Sequence, residues 1–527
     1  MPKRIPGLFC APERPWPGSL LDFSARAVQS CAMLEIAVFL CGAVVMVLEL
    51  AGSRVLAPFL GTSIIVWTSL IGVVLGSLSL GYWWGGRLAD KRPDPRLLSR
   101  IILLAAVATL LIAGLKGALL AFLQNRAGLS AATLAATAAL FAPVSVLLGM
   151  VSPFAVRLRM NDAAHSGRTA GNLYALSTVG SIAGTFGAGF WLTAAVGTTN
   201  LVLCMAGVLL AASFCVHAGD LRAKLAAAAL AALAALGLNL HDADLRSASI
   251  YDLDTPYQRV LVYTGRSTGT GRLLRMLSTG PEGSQSAMDL ADPTRLALPY
   301  THYYRLAGHF RPDVQHMLML GGGGYSFPKY ALSHPEEFGG APRMDVVEID
   351  PGMTDIAREY FGLADLPGLA LRHDDARRFL NGRAAAGGYQ VALVDVFTSH
   401  LSVPFHLATR ETAQALFRAL DAEGVVLVNC ISAAEGPKSR FYRALLATYR
   451  SVFPRVESFL LEPDDPTSPQ NIILAAFKSS APPLLESANP DHAALLAQRY
   501  LPPAALPTDP PVLTDDFAPV DHYLLDL

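Results

Sequence analysis

Between Ala32 and about Leu240 the chain is a succession of apolar stretches, each near the ~20 residues a helix needs to cross a bilayer. A helix satisfies its backbone hydrogen bonds internally, as lipid requires, so this half folds as a polytopic helical bundle. The hydropathy places spans at 32–51, 63–86, 101–123, 131–156, 172–195, 200–217 and 223–240, within a membrane domain over 31–243. Composition agrees: 52% of the 527 residues are hydrophobic and 16% are charged, values foreign to an ordinary soluble enzyme. Residues 1–30 read as an N-terminal cytoplasmic tail broken by Pro2, Pro6, Pro12, Pro15 and Pro17, with no cleavable signal pattern before the first span. A net charge of −1 gives no general pull toward nucleic acid. Six scattered cysteines without a C-x-x-C pair suggest neither a disulfide framework nor a metal site.

Basic residues collect in alternate loops of this half. Arg87, Lys91, Arg92, Arg96 and Arg100 form one group, Arg157, Arg159 and Arg168 a second, Arg222 and Lys224 a third. The loops around Gly61, Arg126 and Gly197 are almost uncharged. The positive-inside rule then puts the N-terminus and the basic loops in the cytoplasm. Gly180 and Gly184 form a G-x-x-x-G pair suited to close helix packing, within the chain or across a homodimer. Glu49, Arg54 and Lys116 are charges in or near spans, where such groups are costly and either functional or snorkelling to the interface.

After His241 the pattern becomes soluble. Residues 248–313 alternate apolar and polar and predict a small β-hairpin subdomain. Residues 314–527 predict strands at Val314–Leu320, Met344–Ile349, Leu369–Arg372, Val391–Asp395 and Gly424–Asn429, with helices at Met353–Tyr360, Thr409–Leu420 and Ser439–Val452 between them. That alternation predicts a Rossmann-like α/β domain with a mostly parallel sheet, whose ligands bind at the carboxyl ends of the strands. The chemically informative residues fall there. The first strand ends in Gly321, Gly322, Gly323 and Gly324, which let the backbone approach a ligand, and Pro328 suits the first turn of the next helix. The second ends in Glu348-Ile349-Asp350, where a carboxylate can accept from both ribose hydroxyls. The third is followed by Asp374, Asp375 and Ala376, where an acid can meet an adenine amino group or cap a helix. The fourth ends in Asp395, where a general base belongs.

With these motifs in order, the half resembles the spermidine-synthase (aminopropyltransferase) family. Asp254-Thr255-Pro256-Tyr257-Gln258 resembles that family's E-S-x-Y-Q segment, and Val347–Asp350, Asp375-Ala376 and Val394-Asp395 follow at similar spacing. Segments of the membrane half, among them Glu49–Pro58, Gly85–Asp90 and Gly171–Ala175, resemble bacterial proteins in which such a domain is fused to membrane helices. The resemblance implies that Gln258 and Glu348 hold the ribose side of a nucleoside, with Asp350 beside them. It implies that Asp375 and Ala376 meet adenine and Gly321–Gly324 line the sulfonium. Asp395 corresponds to the catalytic aspartate and Tyr303 to a tyrosine near the reacting centre, with Tyr257 and Thr398 on the substrate. No tightly bound cofactor and no metal is implied; S-adenosylmethionine or its decarboxylated form is the co-substrate and an amine the acceptor. Soluble relatives carry an acid within the glycine motif and a second acid after strand four; here Gly324 and Thr398 stand at those places. Loss of anionic groups that would hold a polycation leaves alternatives beside aminopropyl transfer: different chemistry on intact S-adenosylmethionine, or a nucleoside- or polyamine-binding transporter or sensor. His400 and His406 read as surface or structural residues.

The resemblance also bears on topology. Seven crossings from a cytoplasmic start leave the second half outside, yet the nucleoside is made in the cytoplasm of the inner-membrane cell. A weakly inserting Ala223–Leu240 that does not cross reconciles the two, and places the catalytic domain in the cytoplasm.

Overall fold

The computed structural model describes residues 20–124, 126, 128–160, 166–280, 283–396, 403–502 and 510–524. Among these, seven helices are long and apolar enough to cross a membrane. They are α1 (Leu20–Leu60), α2 (Ile64–Lys91), α3 (Pro95–Gln124), α4 (Leu129–Gly149) running on into α5 (Val151–Arg159), α6 (Ser166–Gly187), α8 (Thr198–Val216) and α9 (Leu221–Ser247). A π-helical turn and the short α7 (Thr193–Val196) extend α6. Two boundaries differ from expectation. Helix α1 begins at Leu20, within the stretch read as a tail, because the last helix-breaking proline is Pro17. Helix α9 is not short: its 27 residues run to Ser247, about 40 Å at 1.5 Å per residue and enough to span the apolar core of a bilayer.

The G-x-x-x-G pair serves packing within the chain. A Cβ at Gly180 would sit 2.1 Å from the Phe39 carbonyl oxygen, and one at Gly184 would sit 2.4 Å from that of Ala43. Only hydrogen at these positions lets α6 lie directly on α1, so this face is occupied within the chain. Large apolar side chains such as Leu75, Leu104, Leu111 and Phe190 point away from the bundle, the arrangement lipid favours.

The α/β half starts with a four-stranded antiparallel meander: β1 (Tyr251–Asp254), β2 (Arg259–Arg266), β3 (Leu273–Ser278) and β4 (Ser286–Asp289). The predicted hairpin stretch also contains a 3₁₀ segment (Pro299–Arg305) followed by α10 (Leu306–Phe310). The main sheet contains β5 (His316–Leu320), β6 (Arg343–Glu348), β7 (Leu369–His373), β8 (Tyr389–Val394), β9 (Leu420–Ser432), β10 (Arg455–Leu460), β11 (Gln470–Phe477) and β12 (Arg499–Tyr500). Its order is β12-β10-β11-β9-β8-β5-β6-β7. The five predicted strands are its parallel members; β10 to β12 add an antiparallel edge that the sequence reading did not separate. Helices α11 (Ser326–Ser333), α12 (Pro351–Tyr360), α13 (Ala376–Asn381), α14 (Arg410–Ala419) and α15 (Arg440–Arg450) connect the strands, followed by α16 (Pro490–Leu496) and α17 (Val520–Leu524). The chain proceeds from β5 to β6 and β7 on one side, then returns to lay β8 and β9 on the other. The reversal leaves a crevice beyond the carboxyl ends of β5 and β8, where an α/β sheet binds its ligand.

Candidate active site

The crevice is a cavity of about 400 Å³ that contains the ends of β5, β6, β8 and β9 and the meander loops in its wall. Strand β8 delivers Asp395 to its centre. The backbone N–H of Asp395 donates to the Leu320 carbonyl (2.9 Å), which ties the strand ends together. Gly321, with φ of +89°, is the residue that permits this: a Cβ there would lie 2.0 Å from the Asp395 carbonyl oxygen.

The Asp395 carboxylate is held on both oxygens. Tyr300 donates its hydroxyl to Oδ2 (3.0 Å) and Asn429 Nδ2 donates to Oδ1 (3.0 Å). Asn429 is held in turn by Asn471, whose Nδ2 donates to its Oδ1 (2.9 Å). Removal from water pushes the Asp395 pKa up, and the bonds from Asn429 and Tyr300 oppose that shift. The same surroundings and the Asp395 charge raise the Tyr300 pKa well above the ordinary phenol, so Tyr300 stays a donor. Tyr304, fully buried, meets Tyr300 edge-on with ring centroids 5.9 Å apart. Its pKa is also raised by burial and by Asp395, while its hydroxyl has no partner of ordinary hydrogen-bond geometry among the described residues.

Tyr303 is not at this centre. Its hydroxyl donates to the Leu460 carbonyl (3.0 Å) and its ring packs near Phe459. Within the 3₁₀ segment Tyr300 turns to Asp395 and Tyr304 packs edge-on against Tyr300, while Tyr303 turns away to the Leu460 carbonyl. The structure brings Tyr300 rather than Tyr303 to Asp395, together with Asn429 and Asn471, which the sequence reading did not single out. Asn429 had a signal, a polar residue closing the apolar run Gly424–Val428.

Glu348 stands at the end of β6. Its Oε2 accepts from the Gly322 N–H (2.8 Å) and more weakly from Gly323 (3.3 Å), and its Oε1 accepts from the Asp350 N–H (3.0 Å). It thereby fixes the glycine loop while reaching the cavity. Asp350 has a different task. One oxygen caps α12 through the Gly352 N–H (2.9 Å) and the other accepts the Thr255 hydroxyl (2.5 Å). Asp350 thus ties the β1–β2 turn to the start of α12 while lining the cavity. Asp375 combines the two expectations for it: it caps α13 through the Arg378 N–H (2.9 Å) and lines the cavity with Ala376. His406 approaches it to 3.5 Å.

Gln258 and Tyr257 line the cavity from the turn between β1 and β2. The Gln258 N–H donates to the Thr255 hydroxyl (2.9 Å), and Thr255 N–H donates to the Gln258 carbonyl (2.8 Å). Gln258 Oε1 is out of reach of solvent and has no hydrogen-bond partner among the described residues. A buried acceptor left open is costly, and a ligand hydroxyl in the cavity would satisfy it. Gly324 departs from expectation: its N–H donates to Ser286 Oγ (2.9 Å), and it lies behind Gly321–Gly323, off the cavity wall. Thr398 and His400 lie outside the described residues. Glu348, Asp350, Asp375 and Asp395 surround the cavity, and the described lining includes no Lys or Arg. Such a wall favours a cationic ligand.

No family model matches the chain. It is 29% identical to a polyamine aminopropyltransferase of Vibrio vulnificus over 243 residues, 45% of this chain and 74% of that one. It is 27% identical to a polyamine aminopropyltransferase of Mycobacterium tuberculosis over 460 residues, 82% of this chain and 83% of that one. An alignment of that length cannot fit in the α/β half alone and extends into the helical bundle. The solved structure of a probable spermidine synthase from Corynebacterium glutamicum covers 46% of this chain and 84% of its own, at 22% identity and a TM-score of 0.37.

Proposed function

We propose that this chain, homologous to proteins named polyamine aminopropyltransferase, is a multi-pass inner-membrane enzyme that transfers an aminopropyl group from decarboxylated S-adenosylmethionine to an amine. The observation that carries this reading is Asp395 at the switch point, oriented by Tyr300 and Asn429 in a cavity walled by carboxylates. The nucleoside part of the donor lies against Gln258, Glu348 and Asp375, and the open Gln258 Oε1 accepts a ribose hydroxyl. The sulfonium lies over Gly321–Gly323, where the carboxylates favour its charge.

The acceptor nitrogen's lone pair forms a C–N bond at the methylene carbon beside sulfur. The C–S bond breaks as this happens, and its electron pair returns to sulfur, so neutral methylthioadenosine leaves. The nitrogen's extra proton passes to Asp395, whose raised pKa makes it a better base than an ordinary surface carboxylate. Tyr300 and Asn429 keep that carboxylate pointed at the nitrogen, and positioning of the two substrates supplies much of the acceleration. No tightly bound cofactor takes part, since the donor is consumed.

The test is turnover by the detergent-solubilised protein, followed by mass spectrometry. Amine-dependent release of methylthioadenosine from the decarboxylated donor is the expected result. Release from intact S-adenosylmethionine without amine, or none from either, would overturn the reading.

A further inference from the structure

The segment that carries Tyr257 and Gln258 is gripped by the membrane bundle. Arg54, near the end of α1, reaches out of the bundle with its guanidinium. It donates to the Thr255 carbonyl (3.1 Å) and to the Pro256 carbonyl, the two residues directly before the cavity-lining pair. Thr255 passes the hold onward to Asp350 through its hydroxyl. Beside it, Asp254 accepts from the N–H and the hydroxyl of Thr198 at the start of α8 (both 2.9 Å). Both carbonyl partners of Arg54 belong to the turn, so its forked donor fixes the backbone there in a way a single-point cation does not.

We propose that Arg54 is a positioning residue for the nucleoside site, through which a membrane helix sets the conformation of the Tyr257–Gln258 turn. The proposal rests on the nucleoside reading of the cavity. Its test measures methylthioadenosine binding to the full-length solubilised protein by calorimetry, together with donor KM and kcat. Arg54→Ala weakens binding by about tenfold, the effect of losing charge-assisted hydrogen bonds, and raises donor KM while kcat changes little. Arg54→Lys recovers part of the loss, and shows a smaller defect of the same kind if Arg54→Ala does not fold. Asp521→Asn is the reference: Asp521 of α17 accepts from the Ile64 N–H (3.1 Å) at the same seam but away from the turn, and its loss leaves affinity unchanged. Unaltered binding in Arg54→Ala, or an equal loss in Asp521→Asn, would overturn the proposal. A wild-type protein that binds no methylthioadenosine would remove the nucleoside reading itself.

A separate observation concerns which side of the membrane the site faces. The α/β half meets the bundle at Arg54, Ile64 and Thr198, all at the end where the loops are nearly uncharged. The basic loops lie at the opposite end, where Arg100 pairs with Asp220 (2.7 Å) and Arg159 with Glu35 (3.2 Å). Because α9 continues upward from Leu221 into β1, it returns the chain to the uncharged end. We infer that the nucleoside site faces away from the cytoplasm, the reverse of the expectation from ligand origin. A donor made in the cytoplasm then has to cross the bilayer before the transfer. Fusions to the C-terminus of the full chain decide this: alkaline phosphatase is active and green fluorescent protein dark if the inference holds, and the opposite pair of results overturns it.

Discussion

The two halves of the chain accommodate polar groups by different rules. In the bundle, buried hydroxyls bond to nearby backbone carbonyls, on their own helix for Thr109 (to Ala105, 2.8 Å) and Thr137 (to Thr133, 2.7 Å), and on the facing helix for Ser99 and Ser213. Most charge lies near the helix ends, where Arg100 finds Asp220 and Arg54 finds the carbonyls of the neighbouring domain. The α/β half instead gathers carboxylates at the centre of the structure and holds them with backbone N–H groups, hydroxyls and amides from distant segments. The first arrangement satisfies polar groups with backbone carbonyls and needs few side-chain partners. The second keeps charge available to a ligand and leaves some capacity unfilled, at Gln258 and Tyr304.

The contrast can be broken most severely at Asp395. Asp395→Asn should lower turnover by about 10²–10⁴-fold, the range for loss of a general base, without lowering thermal stability at neutral pH. The sign follows from its raised pKa: in the fold, ionisation is opposed by desolvation. Stability tied to the neutral form is therefore complete below the unfolded-state pKa and is lost as pH rises through the folded one. Activity runs the other way, rising with pH as Asp395 ionises, and a wild-type rate that falls over that interval would contradict its role. Gly180→Val attacks the bundle. Overpacking against the Phe39 carbonyl should cost about 1–3 kcal/mol, read as a lower melting temperature with turnover per folded molecule retained. Gln258→Ala should raise donor KM about tenfold through one lost hydrogen bond to the nucleoside; an altered kcat at constant KM would show that Gln258 acts elsewhere. Tyr300→Phe is expected to cost about tenfold in rate for one hydrogen bond to a carboxylate. It should also move the acidic limb of the pH profile upward, because Tyr300 favours the ionised carboxylate.

What the sequence determined was everything that depends on local period and on strand ends. Seven apolar stretches dictated a helical bundle, and β–α alternation dictated a parallel sheet with Gly321, Glu348, Asp375 and Asp395 at its ligand edge. A residue at the carboxyl end of a buried strand has few other places to go. The exact limits of α9 and the edge strands β10–β12 were less legible, since alanine-rich and short apolar runs carry weak periodic signals. Which side chains complete the site was decided only by tertiary structure. Tyr300 rather than Tyr303 reaches Asp395 because the packing of the 299–305 segment on the sheet brings that side chain to a residue 95 positions further along the chain. Asn429, Asn471 and Arg54 acquire their roles the same way, Arg54 across 201 residues. Hydrogen bonds at that separation depend on how whole elements pack, and no pattern within a single element records their partners.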